Sequence, residues 1–209
     1  MPPSPMFPLG SVLVPGMILP LHVFEPRYRA LVRDCIAGDG EFGVVLIARG
    51  SEVGGGDVRT EVGTMARMLR VEEAPDGRFA VGAVGVRRIR VETWLDDDPY
   101  PRAEVRDWPD PDPDDAAAST TAEAAAQVGR LLRRAAALGA ELGDPSPPVD
   151  LELADDALVA GYQATAVAPL GPADRQALLA AGSPEARLDH LVHLLTEAVE
   201  VLEARLAAG

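Results

Sequence analysis

The stretch Met6–Val32, M-F-P-L-G-S-V-L-V-P-G-M-I-L-P-L-H-V-F-E-P-R-Y-R-A-L-V, decides how the rest of the chain is read. Prolines stand at Pro8, Pro15, Pro20 and Pro26, with short apolar runs between them. A proline cannot donate to a sheet ladder, so each one marks a strand end, an edge or a bulge. Val12–Val14 and Met17–Leu19 therefore read as short strand pieces, separated by the turn signal Pro15-Gly16. After Pro26 the spacing turns helical. Tyr28, Leu31, Val32 and Cys35 fall at i, i+3, i+4 and i+7, one apolar face of a helix ending near Gly38.

Working outward, Glu41–Ala48 is a nearly continuous apolar run, the pattern of a strand buried on both faces. It leads into a glycine-rich loop through Gly54–Gly56. A phosphate-cradling loop needs a helix directly after its glycines. Here Val58–Ala66 follows and reads as strand, so the loop is taken as a plain connection. Thr64–Val71 and Arg78–Val84 form a hairpin about Asp76-Gly77. Val86–Thr93 continues the sheet, its alternation broken at Arg87-Arg88, where a bulge is expected. Pro101–Trp108 is the last candidate strand. Many short strands with glycine turns around one helix read as a small closed or half-closed barrel.

Beyond it, Trp108–Asp115 alternates proline and aspartate, an extended and wet linker. It lacks the glycine turn and closing glutamate of a calcium loop. Then the period is helical. Thr120–Glu123 fits a capping box, followed by a stripe of Val128, Leu131, Leu132, Ala135, Leu138 and Leu142. A second helix is expected from Asp155 to Val167 with Leu158, Val159 and Tyr162 inward. A third opens at Pro172. Ser183-Pro184-Glu185 starts a fourth, which carries Leu188, Leu191, Leu195, Val199, Leu202 and Leu206. Four amphipathic helices with short joints predict a bundle.

Several segments together resemble the Lon protease N-terminal, substrate-binding domain. They are Phe7-Pro8-Leu9, Pro15-Gly16, Leu19-Pro20-Leu21 and Phe24-Glu25-Pro26-Arg27-Tyr28, then Val62–Ala66, Pro75–Arg78 and Val84–Arg88. In the helical half they are Ala168–Gly171, Asp174–Leu179 and Ser183–Leu188, with Arg175 where the family pattern suggests lysine. Only residues 108–155 match loosely. The resemblance implies an α+β fold: a PUA-like β pseudobarrel with one inserted helix over 1–107, a linker over 108–118, and a four-helix bundle over 119–209. It also implies a stand-alone recognition module that binds unfolded or exposed apolar polypeptide without ATP and delivers it to a separate protease.

Composition limits the alternatives. The chain has 209 residues and a formal charge of -14, and all 19 of its basic residues are arginine. Residues 1–107 carry 13 arginines against 16 carboxylates; residues 108–209 carry 6 against 17. Such a surface repels nucleic acid and anionic membrane. Without lysine, neither a Walker A loop nor a serine–lysine dyad can be built from these residues, so catalysis is not expected and no cofactor is implied. No run approaches the roughly 18 apolar residues of a membrane helix, and no secretory signal is seen. The expectation is a soluble, cytoplasmic protein, a monomer or weak homodimer. Cys35 is the only cysteine.

The candidate site residues follow from these readings. Phe7, Leu19, Leu21, Phe24 and Tyr28 are the candidate peptide contacts, at strand ends able to accept an added strand. Arg67, Arg70, Arg87, Arg88 and Arg90 could form a basic strip, which would suit RNA, a second class that PUA-like barrels include. The competing reading pairs Glu25, or another barrel carboxylate, with Arg87 or Arg88. His190 and His193 are spaced for zinc given a third ligand but flank the buried face of their helix. A hydrolase with a non-standard site, using His22 as base, is the remaining alternative. No metal site is expected.

Overall fold

The computed structural model describes residues 3–50, 58–111, 115–148 and 150–208, with the side chains of 115–119 left aside. The glycine-rich stretch 51–57 and linker residues 112–114 lie outside the described residues. The architecture is α+β. Two compact units divide the chain, Met1–Pro109 and Asp110–Gly209.

The first unit is a sheet of β1 (Ser4–Leu9), β2 (Ile18–Val23), β3 (Glu41–Arg49), β4 (Val58–Glu73), β5 (Phe79–Trp94) and β6 (Arg102–Asp107), with helix α1 (Pro26–Ala37) between β2 and β3. The strand order is β2-β5-β4-β3-β1-β6, and a further β5–β6 pairing closes it. β1 runs parallel to β3; the other pairs are antiparallel. β5 makes closure possible through its length: Phe79–Val84 pairs with β2 and Ile89–Trp94 with β6.

Local chemistry accounts for these elements. Pro26 occupies the first turn of α1, where its missing N–H costs nothing, and Tyr28, Leu31, Val32 and Cys35 are the buried face. Val12–Val14 is buried but is not a strand, contrary to the sequence reading. Thr64 Oγ1 donates to the Leu13 carbonyl at 2.6 Å, so this irregular backbone is satisfied by a side chain. Val14-Pro15-Gly16-Met17 is a turn closed by Met17 N–H to Val14 O at 3.1 Å. Gly16 at φ +82° supplies the left-handed residue that a proline at the preceding corner calls for. The turn lies against Gly85, where a Cβ would stand 2.5 Å from the Val14 carbonyl. Arg78–Val84 and Val86–Thr93, read separately from the sequence, belong to one continuous β5. Met65 faces Arg87 and Ala66 faces Gly85, so the bulged residue is Val86, ahead of the arginine pair.

The second unit holds α2 (Asp115–Leu142), α3 (Ala157–Val167), α4 (Pro172–Leu179) and α5 (Pro184–Ala208). α2 starts at Asp115, five residues before the expected cap and inside the stretch read as linker. Asp156 caps α3, accepting the Val159 N–H at 2.9 Å. Val159 is exposed rather than inward, and the buried positions of α3 are Ala160, Gly161, Tyr162, Ala164 and Thr165. These small residues let α3 approach closely: Gly161 lies against Arg187 and Leu188. The core is Val128, Leu132, Ala164, Ala168, Leu178, Leu188, Leu191 and Leu195.

Among the described residues Arg187 is the largest fully buried side chain. Its Nη2 meets Asp110 Oδ1 at 2.8 Å, its Nε donates to Leu178 O at 3.0 Å, and its guanidinium lies 4.2 Å from the Tyr162 ring centre.

Candidate functional site

β2 is an edge strand; among the described residues it pairs only with β5. Antiparallel ladders alternate bonded and non-bonded pairs. Gly85 N–H donates to Met17 O at 3.0 Å, and the register runs Ile18 opposite Val84 through Val23 opposite Phe79. Leu19, Leu21 and Val23 therefore bond to β5. The backbone groups of Ile18, Pro20 and His22 face the open side. Side chains alternate likewise: Leu19 and Val23 are buried and Leu21 half-buried, whereas Ile18, Pro20 and His22 are exposed.

At the far end of this strand is a cleft of about 360 Å³ lined by His22, Val23, Phe24, Glu72, Glu73, Ala74, Arg78, Phe79 and Ala80. Phe24 stands in it 57 % exposed, an unusual position for a phenylalanine. The β4–β5 turn forms one wall and is held to α1 by arginines. Arg33 Nη2 bonds Glu73 Oε1 at 2.9 Å, with its guanidinium 5.3 Å from the Phe79 ring. Gly77, at φ +78°, lies on the Arg29 guanidinium, where a Cβ would come within 2.1 Å of Nη2.

The five residues singled out as peptide contacts separate by this geometry. Phe7 and Tyr28 stack face to face with ring centres 4.1 Å apart, and Leu19 joins them in the core. These three fill the interior, a correction to the reading that put them on a binding surface. Leu21 packs on that core from a half-buried position. Phe24 alone faces the cleft fully, and Ile18, 58 % exposed on the same strand, was not singled out. Ile18–Val23 has apolar side chains on both faces, so its alternation gave no clear signal; the one local signal was Pro20, whose missing N–H must face away from the ladder.

The expected ion pair forms with a different carboxylate. Glu25 bonds Arg27 at 3.1 Å, two residues away, and not Arg87 or Arg88. The partner of Arg87 is Glu41, at 2.7 Å, and Glu41 also takes Arg67 at 2.7 Å. Its side chain is 10 % exposed, so two guanidiniums offset its desolvation. Arg88 is buried under the half-buried Trp108, its guanidinium 4.3 Å from a ring centre of the indole. Arg70 pairs with Glu72 and Arg90 with Glu61. The five arginines of the proposed basic strip are thus matched by carboxylates or an indole, which removes the field a phosphate backbone would need.

A second cleft of about 810 Å³ is lined by Asp34, Asp39, Glu41, Glu92, Glu104 and Asp107 against Arg87 and Arg106, and it too disfavours phosphate. Cys35 borders it. Burial first, then the neighbouring Asp39 and Asp34, push its thiol up to about 12. Burial and the hydrogen bond to Asp34, 2.7 Å away, raise the Tyr100 phenol as well. Neither group is activated. His22 is exposed on the open edge, and His193 Nε2 lies 3.4 Å from Glu197. Among the described residues no three His, Cys, Asp or Glu side chains are grouped to hold a metal, and no helix is long and apolar enough to cross a membrane.

Comparison with known proteins places this geometry in context. The family model of the ATP-dependent protease La (LON) substrate-binding domain matches residues 4–197. Lon protease 2 of Myxococcus xanthus is 29% identical over 208 residues, covering 95% of this chain and 24% of the relative. A Lon protease of Phenylobacterium zucineum is 30% identical over 210 residues, covering 93% of this chain and 24% of that one. The chain thus spans about a quarter of the length of these curated relatives. The crystal structure of a Lon N-terminal domain protein from Xanthomonas campestris superposes with a TM-score of 0.65 at 30% identity, covering 92% of this chain and 98% of that one. The N-terminal domain of a Mycobacterium avium complex Lon protease shares the fold, with a TM-score of 0.59 at 18% identity over 95% of this chain and 98% of its own.

Proposed function

This chain belongs to the family of ATP-dependent protease La (LON) substrate-binding domains, and from that membership we propose that it is a non-catalytic recognition module for unfolded or exposed apolar polypeptide. Binding needs no ATP. The observation that carries the reading is Phe24, exposed in an apolar cleft at the end of a strand edge that has no partner strand among the described residues. An extended segment adds to β2 through main-chain hydrogen bonds and places an apolar side chain against Phe24 and Phe79. An aromatic side chain seated there removes on the order of 200 Å² of apolar surface from water, roughly 5 kcal/mol before ordering costs. Affinity is then modest and tolerant of sequence, as a module that recognises unfoldedness requires.

The closed sheet with α1 inserted supports reading the first unit as a PUA-like pseudobarrel, and α2–α5 as a four-helix bundle. The absence of lysine from these 209 residues supports a role without ATP hydrolysis or serine–lysine cleavage. The role fits a cytoplasmic monomer or weak homodimer that passes its client to a separate ATP-dependent protease.

The test is titration with a reduced, carboxymethylated polypeptide that cannot fold, with single-stranded RNA in parallel and intact mass read afterwards. The expected result is binding of the polypeptide, weakened at least about tenfold by Phe24→Asp, with the client uncut. Equal binding by Phe24→Asp, or salt-sensitive binding of RNA alone, overturns the reading.

A further inference from the structure

We infer that Pro20 selects what can occupy the β2 edge: it disfavours a second copy of this chain and leaves the edge open to a foreign extended segment. The inference builds on the proposed role of this edge but concerns a separate property, the exclusion of self-pairing.

The premise is the alternation of hydrogen bonds along β2. Ile18, Pro20 and His22 direct their backbone groups outward, so the edge presents three carbonyl acceptors but only two N–H donors. An exposed edge of this kind is a template for association, and proteins blunt it with charge, bulges or proline. The sequence of β2, I-L-P-L-H-V, contains no Asp, Glu, Lys or Arg, and Ile18 is 58 % exposed on it. Proline is the guard within the strand itself. Its placement at an outward position is what lets it act without cost to the fold, since the β2–β5 ladder uses the N–H groups of the alternate residues.

The consequence differs for self and foreign strands. When two copies of β2 pair antiparallel about their centres, Pro20 faces Pro20, and both hydrogen bonds of the central pair are missing. A foreign strand without proline at that point still donates its own N–H to the Pro20 carbonyl, and one bond is missing rather than two. The edge is therefore biased toward partners unlike itself. The occupant it fits is an extended polypeptide whose residue opposite Pro20 has a free N–H.

The test uses the full chain with Pro20→Ala, and a peptide of alternating Phe and Thr flanked by Lys. Restoring the donor should produce concentration-dependent dimers in sedimentation velocity, where wild type forms fewer. It should also tighten the peptide roughly two- to tenfold, one hydrogen bond's worth. His22→Pro removes a second outward donor; it should fold normally by circular dichroism and bind the peptide several-fold more weakly. Leu21→Pro removes an inward donor and should not fold. If Pro20→Ala sediments as wild type at every concentration, or if His22→Pro fails to fold while Leu21→Pro folds, the inference is overturned. If Pro20→Ala dimerises but neither protein binds the peptide or an unfolded chain, the exclusion of self-pairing stands, while the foreign occupant falls together with the proposed function.

Discussion

Asp110→Asn tests whether the second unit depends on one buried ion pair. The side chains of Arg187 and Asp110 are 0 % and 4 % exposed, with Nη2 and Oδ1 2.8 Å apart. Tyr162 closes the arrangement from the other side, its hydroxyl donating to Asp110 Oδ2 and its ring lying beneath the guanidinium. Asparagine keeps the shape of the acceptor and removes its charge. Arg187 then remains charged in a fully buried position, since arginine does not deprotonate in proteins. Breaking a buried pair from one side costs about 3–5 kcal/mol. A unit of 100 residues is stable by about 5–15 kcal/mol in total, so the loss takes up much of its margin and lowers its melting temperature by more than about 10 °C.

The assay can separate the two units. Trp94 and Trp108 are the only tryptophans and both lie in the first unit, so their fluorescence follows the sheet. Far-UV ellipticity is dominated by α2–α5. In urea, Asp110→Asn should move the ellipticity transition to lower denaturant and leave the fluorescence transition close to wild type. The double variant Asp110→Leu/Arg187→Met should recover most of the loss, because an apolar pair has no charge to desolvate. A loss below about 1 kcal/mol for Asp110→Asn would refute the reasoning, since it would mean that Arg187 finds water or another anion.

Other consequences can be measured directly. Cys35, with its thiol pushed up to about 12, should be at least roughly a hundredfold slower than a free cysteine toward a disulfide reagent at pH 8, and should react at once on unfolding. Gly85→Ala forces a Cβ to within 2.5 Å of the Val14 carbonyl, so the Pro15-Gly16 turn must shift. The cost should be about 1–3 kcal/mol in the fluorescence transition, and no change there would refute the contact. Arg205, hydrogen-bonded to Asp144 at 2.7 Å, holds that carboxyl below its ordinary value of 3.8. A lowered folded value means that the contribution is present above the unfolded pKa and lost as pH falls through the folded one. Asp144→Asn should therefore lower stability slightly at neutral pH, leave it unchanged once the carboxyl of the wild type is protonated, and so make the acid side of the stability curve less steep.

Much of this structure was legible because local rules and tertiary packing agree. The face Tyr28, Leu31, Val32, Cys35 was fixed by helical spacing alone, and the starts at Pro26, Pro172 and Pro184 by proline's place in a first turn. What escaped depends on distant partners. Arg187 lies beside Leu188 on α5, where an arginine ordinarily reaches water; its burial needs Asp110, 77 residues away, and the space left by Gly161. Glu41 opens an apolar strand and gives no sign that Arg67 and Arg87 converge on it. Arg78–Val84 and Val86–Thr93 were read as separate runs for a related reason. Glycines and prolines punctuate a chain for several physical causes, and at Gly85 the cause is close approach of another segment rather than a turn.

The same limit explains why the candidate site was only half read. A strand side chain has two possible faces, and a shift of one residue exchanges them. Ile18–Val23 contains apolar residues on both faces, so hydrophobicity could not say which face is core. Pairing with β5 decides it: Leu19 and Val23 turn inward, Ile18 and His22 outward, and Phe24, just past the strand end, is carried into the cleft. Pro20 is the one residue whose chemistry carries the answer locally. A proline inside a strand paired on one side is tolerated only where its missing donor faces away from the ladder. That requirement puts the even-numbered residues on the open side before any partner strand is known. It also groups Ile18, Pro20 and His22 on one face and Leu19, Leu21 and Val23 on the other, and the burial of Leu19 and Val23 marks the second as core.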